Sequence, residues 1–154
     1  MCDLTAKVAV ITGASRGIGQ GIALSFAKHG AKLVVNATSQ ESILDTMEQL
    51  RSLGTQAVAV IGDVAEAETS ERLVEQALHS YGSLDIAVSC AGINMDGMLH
   101  KMTDEQWKRV LDVDLTAAFY LIRSASQIMR QQGSGRILTI SSAAWLGNLG
   151  QANY

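Results

Sequence analysis

Five short apolar runs, held apart by longer stretches whose apolar residues recur at helical spacing, leave this chain few folds to adopt. The runs lie at 7–12, 32–36, 57–61, 84–89 and 136–140, and the first, KVAVIT, closes on a glycine. Rich in Val, Ile, Leu and Ala with little polar alternation, each reads as a strand buried on both faces. Between them, Ile18, Ile22 and Phe26 follow the first run at helical spacing, and Leu73, Ala77 and Leu78 follow the third. Parallel strands cannot be joined by a tight hairpin and need a crossover, so strict strand and helix alternation predicts a parallel sheet with helices on both faces. The expected fold class is α/β, a doubly wound parallel sheet in three α/β/α layers.

With 154 residues, 47% of them hydrophobic, the chain has the size of one ordinary domain and can bury a sizeable core. No linker, repeat or low-complexity stretch divides it, so residues 1–154 are expected to form a single domain. The best-marked helix begins after Thr103, which forms a capping box with Gln106, while Asp104 and Glu105 suit the positive end of the helix dipole. Its expected buried face is Trp107, Val110, Leu111, Leu115, Ala118, Phe119 and Ile122. Asp114 falls within that stripe, where a carboxylate needs a partner or a task to offset its burial.

The strongest local signal is Thr12-Gly13-Ala14-Ser15-Arg16-Gly17-Ile18-Gly19, directly after the first strand and opening the first helix. Gly13, Gly17 and Gly19 permit a tight turn and close backbone approach, and the N–H groups that begin a helix attract a pyrophosphate. A glycine-rich turn without a ligand is the alternative. At the end of the second strand, Asn36-Ala37-Thr38-Ser39 lacks the carboxylate that NAD enzymes usually place on the ribose 2′-hydroxyl. Without it nothing repels a 2′-phosphate. Arg16 could supply the charge-assisted contact, with Thr38 and Ser39 as hydroxyl donors. NADP(H) is thereby favoured over NAD(H), unless Arg16 is simply a solvated surface charge.

The charge count, 12 basic against 15 acidic residues, gives a net charge of −3 without a block of either sign, which argues against nucleic acid as a partner. Cys2 and Cys90 are far apart and have no metal-type spacing, so neither a disulfide framework nor a metal site is expected. Cys90 reads as a small buried residue, since no activating cation or histidine is near it in sequence. His29, His79 and His100 are scattered and read as surface residues. The amino terminus lacks the pattern of a secretory signal, and no stretch approaches the roughly 18 apolar residues of a membrane span. A cytoplasmic location and no membrane partner are expected.

The glycine turn resembles the TGxxxGxG element of the short-chain dehydrogenase/reductase family, a Rossmann-type fold. Further matches follow in the family's order: Asp63-Val64 after the third strand, Gly82 and Asp85 before the fourth, Ala91-Gly92 after it, and Ser141-Ser142 after the fifth. The segment Gly147 to Tyr154 is similar to the approach to the family's YxxxK element, especially in 3-oxoacyl carrier-protein reductases and acetoacetyl-CoA reductases.

The resemblance implies an oxidoreductase moving a hydride between nicotinamide and a carbonyl substrate, a 3-oxoacyl thioester carried on acyl carrier protein or CoA in fatty acid biosynthesis. It further implies a homotetramer or homodimer for the complete protein. It makes Tyr154 the proton donor and Ser142 the donor that positions the carbonyl oxygen, with Ser141 as fallback because the loop to Tyr154 is about one residue short of the common pattern. A serine pair at a strand end also suits a turn or a helix cap. Gly13, Ser15, Arg16, Gly17, Ile18, Gly19 and Thr38 would bind the cofactor, with Asp63 and Val64 at the adenine edge and Ala91 and Gly92 near the adenine ribose. Asp63 could alternatively cap the next helix.

Two departures from the family pattern stand out. Asp114 replaces an asparagine whose backbone carbonyl holds a water of the proton relay, and its charge would disfavour a phenolate nearby. Ser89-Cys90-Ala91-Gly92 replaces NNAG. Met95, Met98 and Met102 fit either a pocket border or loosely packed core.

The family's lysine, expected four residues beyond Tyr154, is outside the sequence, as are its last strands, substrate lid and proline-containing segment, in keeping with a proline count of 0. Without that cation the phenol is poorly matched to acid–base work, so the 154-residue chain alone is expected to be catalytically weak or inactive. Two readings follow: part of an NADPH-dependent carbonyl reductase, or a short protein that binds a nucleotide or partner without turnover. A lysine one helical turn after Tyr154 separates them.

Overall fold

A computed structural model describes residues 3–154; Cys2 lies outside them. The expected strands form as β1 (Val8–Ile11), β2 (Lys32–Ala37), β3 (Ala57–Ile61), β4 (Ile86–Ser89) and β5 (Arg136–Thr139). They make one sheet in the order β3-β2-β1-β4-β5, parallel throughout. The crossovers are α1 (Gly17–Lys28), α2 (Gln40–Ser52), α3 (Ala67–Tyr81) and a long helix built of α4 (Asp104–Leu111), a π turn (Asp112–Thr116) and α5 (Ala117–Gln132). This is the three-layer Rossmann-type arrangement expected from the alternation.

The two-residue period of a strand divides the core. Ala9, Ile11, Leu33 and Val35 point to one side, where Ala23 and Ala27 of α1 and Ile43 and Leu50 of α2 cover them. Val8, Val10 and Val34 point to the other, against Leu73 and Ala77 of α3 and Leu121 and Ala125 of α5. Fully burying one such aliphatic side chain contributes about 1.5–3 kcal/mol, so both layers are needed to offset the chain's lost conformational freedom.

Polar ties fix the strands lengthwise. Asp85 accepts from Val8 N at 3.0 Å and pairs with Lys7 at 3.1 Å, locking the start of β1 beside β4. The buried Asn36 amide donates to Val60 O at 3.2 Å and Gly62 O at 3.0 Å, joining β2 to β3.

Two expectations are corrected. Within the described residues the run at 136–140 is not a strand buried on both faces: β5 pairs only with β4, and every one of its residues is exposed. The β3 edge is likewise only partly covered. The long helix also buries a different stripe, with Val110, Val113, Ala117, Leu121, Ala125 and Met129 inward. Trp107, Leu115 and Phe119 are instead 42%, 64% and 54% exposed. The π turn adds a residue and rotates the helix, and the helix is apolar on two faces, so choosing the stripe with the larger side chains picks the wrong one.

Candidate functional site

From β1 the chain winds outward through β2 and β3, then returns to place β4 on the opposite side of β1. The connections therefore diverge at the carboxyl ends of β1 and β4, and a crevice opens between them, the usual ligand position in an open α/β sheet. Here a cleft of about 600 Å³ brings Arg16, Gly17, Ile18 and Gly19 together with Ala91 and Gly92. Asp114, Ser142 and Tyr154 line the same cleft.

The glycine turn is built by exclusion. Gly13 has φ +64°, and a Cβ there would stand 2.7 Å from Ala91 Cα. A Cβ on Gly19 would fall on the carbonyl oxygen of Gly13 and lie 2.8 Å from its carbon. Both contacts are with backbone, which cannot swing aside. Thr12 closes the joint: its hydroxyl oxygen accepts from Cys90 N at 3.0 Å and Ala91 N at 3.2 Å, binding the glycine turn to the turn after β4. Thr46 of α2 supports the turn from behind by donating to Ala14 O at 2.9 Å.

The residues present fit a dinucleotide at this turn. A Cβ is excluded from the cradle at Gly13 and Gly19, and α1 begins there with no acidic residue in its first turn to compete for its N–H groups. Arg16 is the extended N-cap of α1 and is exposed; neither ion pair among the described residues involves it. Ser15 is half-buried beneath the turn, and Thr38 is exposed at the end of β2. Ser39 caps α2 by accepting from Ser42 N at 3.2 Å.

Asp63 and Val64 stand apart from the cleft walls just named. Asp63 accepts from Ala65 N at 3.0 Å and from Arg109 at 2.6 Å, while Val64 is buried against Val113 and Ala117. Asp63 thus makes a local turn ahead of α3, whose N-cap is Glu66, and fastens that turn to α4.

On the far wall, Ser142 accepts from Ala144 N at 3.2 Å and caps the short 3₁₀ turn Ala143–Leu146. Ser141, Ser142 and Tyr154 also border an adjoining apolar space of about 540 Å³ walled by Leu115, Phe119 and Trp145. Leu115, Phe119 and Ile122, expected in the core of the long helix, therefore line this space instead. Asp114 borders both cavities. Its Oδ1 accepts from Ile93 N at 2.9 Å, its buried Oδ2 has no partner, and burial raises its pKa against the opposing pull of that N–H. Burial also pushes the Cys90 thiol up, which fits an inert cysteine.

Sequence reasoning missed the clamp that places Tyr154. Gly97 N donates to Gly150 O at 2.8 Å, and Gln151 donates to both oxygens of Asp96 at 3.1 and 3.2 Å. Next to the tyrosine, Asn153 is buried and donates to Met95 O at 3.0 Å and Gln106 O at 3.1 Å. These amides fix the closing segment to the loop after β4 and to the head of α4. The signal available was a cluster of amides in an otherwise small and apolar tail.

The family model described as short chain dehydrogenase matches residues 7–154. A 3-oxoacyl-[acyl-carrier-protein] reductase of Synechocystis is 41% identical over 100% of the chain, which covers 63% of that protein. The corresponding reductase FabG of Staphylococcus aureus is 39% identical over 96% of the chain and is covered over 61% of its length. A crystal structure of a protein classed as a short-chain alcohol dehydrogenase from Sinorhizobium meliloti superposes with a TM-score of 0.94 at 31% identity, over 99% of this chain and 61% of that one. The chain thus spans about three fifths of the length of these relatives.

Proposed function

We propose that this chain, which belongs to the short-chain dehydrogenase family, forms the dinucleotide-binding part of an NADPH-dependent reductase of 3-oxoacyl thioesters. The observation that carries the reading is the backbone-tight glycine turn opening α1 onto the cleft that also holds Ser142 and Tyr154. In this reading the N–H groups from Ser15 to Gly19 receive the paired phosphates, while Arg16 and Thr38 meet the 2′-phosphate. Ala91 and Gly92 lie along the adenine ribose, and Asp63 and Val64 at the adenine edge.

When bound, the nicotinamide supplies a hydride to the carbonyl carbon. The chain's own residues handle the oxygen. Tyr154 gives it a proton from the phenol, and Ser142 donates the hydrogen bond that stabilises its developing negative charge. Asn153 keeps Tyr154 at its post. Backbone groups of the π turn at Asp114 hold a relay water, and a lysine one turn beyond Tyr154 supplies the cation that the phenol needs. The acyl carrier-protein reductases among the relatives support a substrate held on acyl carrier protein; CoA as an alternative carrier and a homo-oligomer for the complete protein belong to the same proposal.

The full-length protein is expected to oxidise NADPH with an acetoacetyl thioester far faster than NADH. Arg16→Ala should raise the KM for NADPH by about tenfold to a hundredfold, the worth of one charged hydrogen bond, and barely move that for NADH. Equal rates with both cofactors would remove the 2′-phosphate assignment, and no reduction of the thioester by either would remove the substrate class.

A further inference from the structure

β2 carries a polar residue near its end, where its own pattern calls for an aliphatic one. Leu33, Val34, Val35 and Ala37 are all buried, and Asn36 among them is only 2% exposed. Strand alternation turns it to the side of Val34, toward α3. Its Nδ2 donates to Gly62 O at 3.0 Å and Val60 O at 3.2 Å, with Ala37 O at 3.4 Å. Three carbonyl neighbours settle which end of the amide faces them, since only the NH2 group can donate.

The position of these bonds in the sheet gives them their meaning. Asn36 lies opposite Val60 and Ala37 opposite Ile61, and one further backbone bond follows, from Gly62 N to Ala37 O at 3.0 Å. There β2 ends, and the chain turns through Thr38 into α2, whose N-cap is Ser39. The side chain of Asn36 thus extends the ladder by one rung, to Gly62 O, after the backbone of β2 has left it. Its main chain works in the opposite direction: Asn36 O accepts from Ala14 N at 2.9 Å, inside the glycine turn. One residue therefore holds the turn after β1 and the turn after β3, on either side of the exit of β2.

Both turns are backed from behind. Ala14 O accepts from the buried Thr46 hydroxyl at 2.9 Å, and that hydroxyl accepts from Gln20 at 3.0 Å. A Cβ on Gly62 would stand 2.6 Å from Thr69 Oγ1, so the second turn lies close against α3. Asp63 follows it, tied to α4 through Arg109. A buried amide with its donors satisfied fixes one arrangement, whereas an aliphatic side chain would fill the space and leave Gly62 O without this donor.

We propose that Asn36 is a positioning residue for the adenosine half of the dinucleotide. Its two-sided bonding sets the gap between the glycine turn and the turn at Gly62-Asp63, the walls between which adenine and its ribose enter. The spacing role stands on the hydrogen bonds alone; the adenosine role rests on the reading of the cleft as a dinucleotide site.

Asn36→Leu nearly keeps the volume and removes the donors. In the full-length protein without nucleotide, amide hydrogen exchange at Ala14 and Gly62 should accelerate by about tenfold more than at Ala9 and Val10 in β1, the worth of one hydrogen bond. Equal acceleration at all four would mean a general loss of stability, and no acceleration would mean that the bonds hold nothing; either overturns the proposal. Should leucine prevent folding, Asn36→Thr, which suits a strand and keeps a single hydroxyl donor, should shift the same two amides in the same direction.

Adenosine 2′,5′-bisphosphate carries the adenosine half alone. Its Kd and that of NADPH should both rise about tenfold in the variant, while kcat at saturating NADPH stays at the wild-type value because the nicotinamide end is untouched. Weaker NADPH with unchanged bisphosphate, or a lower melting temperature with both Kd values unchanged, overturns the adenosine role. If the wild type binds neither nucleotide while exchange at Ala14 and Gly62 responds as expected, the dinucleotide reading fails and the spacing role remains.

Discussion

Replacing Gly19 with alanine is expected to weaken NADPH binding by up to about a hundredfold. The added Cβ would fall on the carbonyl oxygen of Gly13 and 3.2 Å from Ala14 Cα, so the turn itself must open. Relieving an overpacked backbone contact costs about 1–3 kcal/mol. Borne by the binding-competent turn, the upper value is a loss of affinity on the order of a hundredfold. Gly21, two residues further along α1, provides the control, since a Cβ there meets nothing within 4 Å. Gly21→Ala should bind as before and melt slightly higher, by the helix propensity gained. Equal binding by Gly19→Ala and Gly21→Ala would mean that the tightness of the turn has no bearing on the ligand.

The second large effect is on turnover. Tyr154→Phe removes only the phenolic hydroxyl and leaves the Asn153 clamp beside it untouched. In the full-length protein it should lower kcat for thioester reduction by about 10²–10⁴, the usual worth of a positioned proton donor, with KM nearly unchanged. Ser142→Ala should cost about 10²–10³, the loss of one donor to the developing oxyanion. The two losses should not add, because both act on the same oxygen. NADPH affinity should survive both changes. A Tyr154→Phe protein with wild-type kcat would show that the proton comes from elsewhere, and a Ser141→Ala loss exceeding that of Ser142→Ala would move the oxygen-binding role to the neighbouring serine.

What could be read ahead of the structure was local. Each apolar run became a strand within a residue or two of its expected bounds, and the capping box of Thr103 and Gln106 formed, because these signals depend on neighbours in sequence. The glycine turn was legible for the same reason. The facing of the long helix was not, since its apolar residues lie on two sides and a π turn at Asp112–Thr116 breaks the uniform period that any stripe assumes. β5 keeps the apolar composition of a buried strand, although among the described residues only β4 pairs with it. The Tyr154 clamp was out of reach as well: Asn153 bonds to Met95, 58 residues away, and Gln151 to Asp96, 55 away. Such long-range amide contacts leave no periodic trace. Asp114 was noticed as an anomaly in an apolar stripe, but only its geometry shows one oxygen bonded and the other buried alone.

The central claim is that the turn from Gly13 to Gly19 holds the phosphates of a dinucleotide, and isothermal calorimetry on the folded full-length protein tests it most directly. The account predicts saturable heat with one NADPH per chain and weaker binding of NADH. No heat with either nucleotide, from protein shown to be folded, would contradict it.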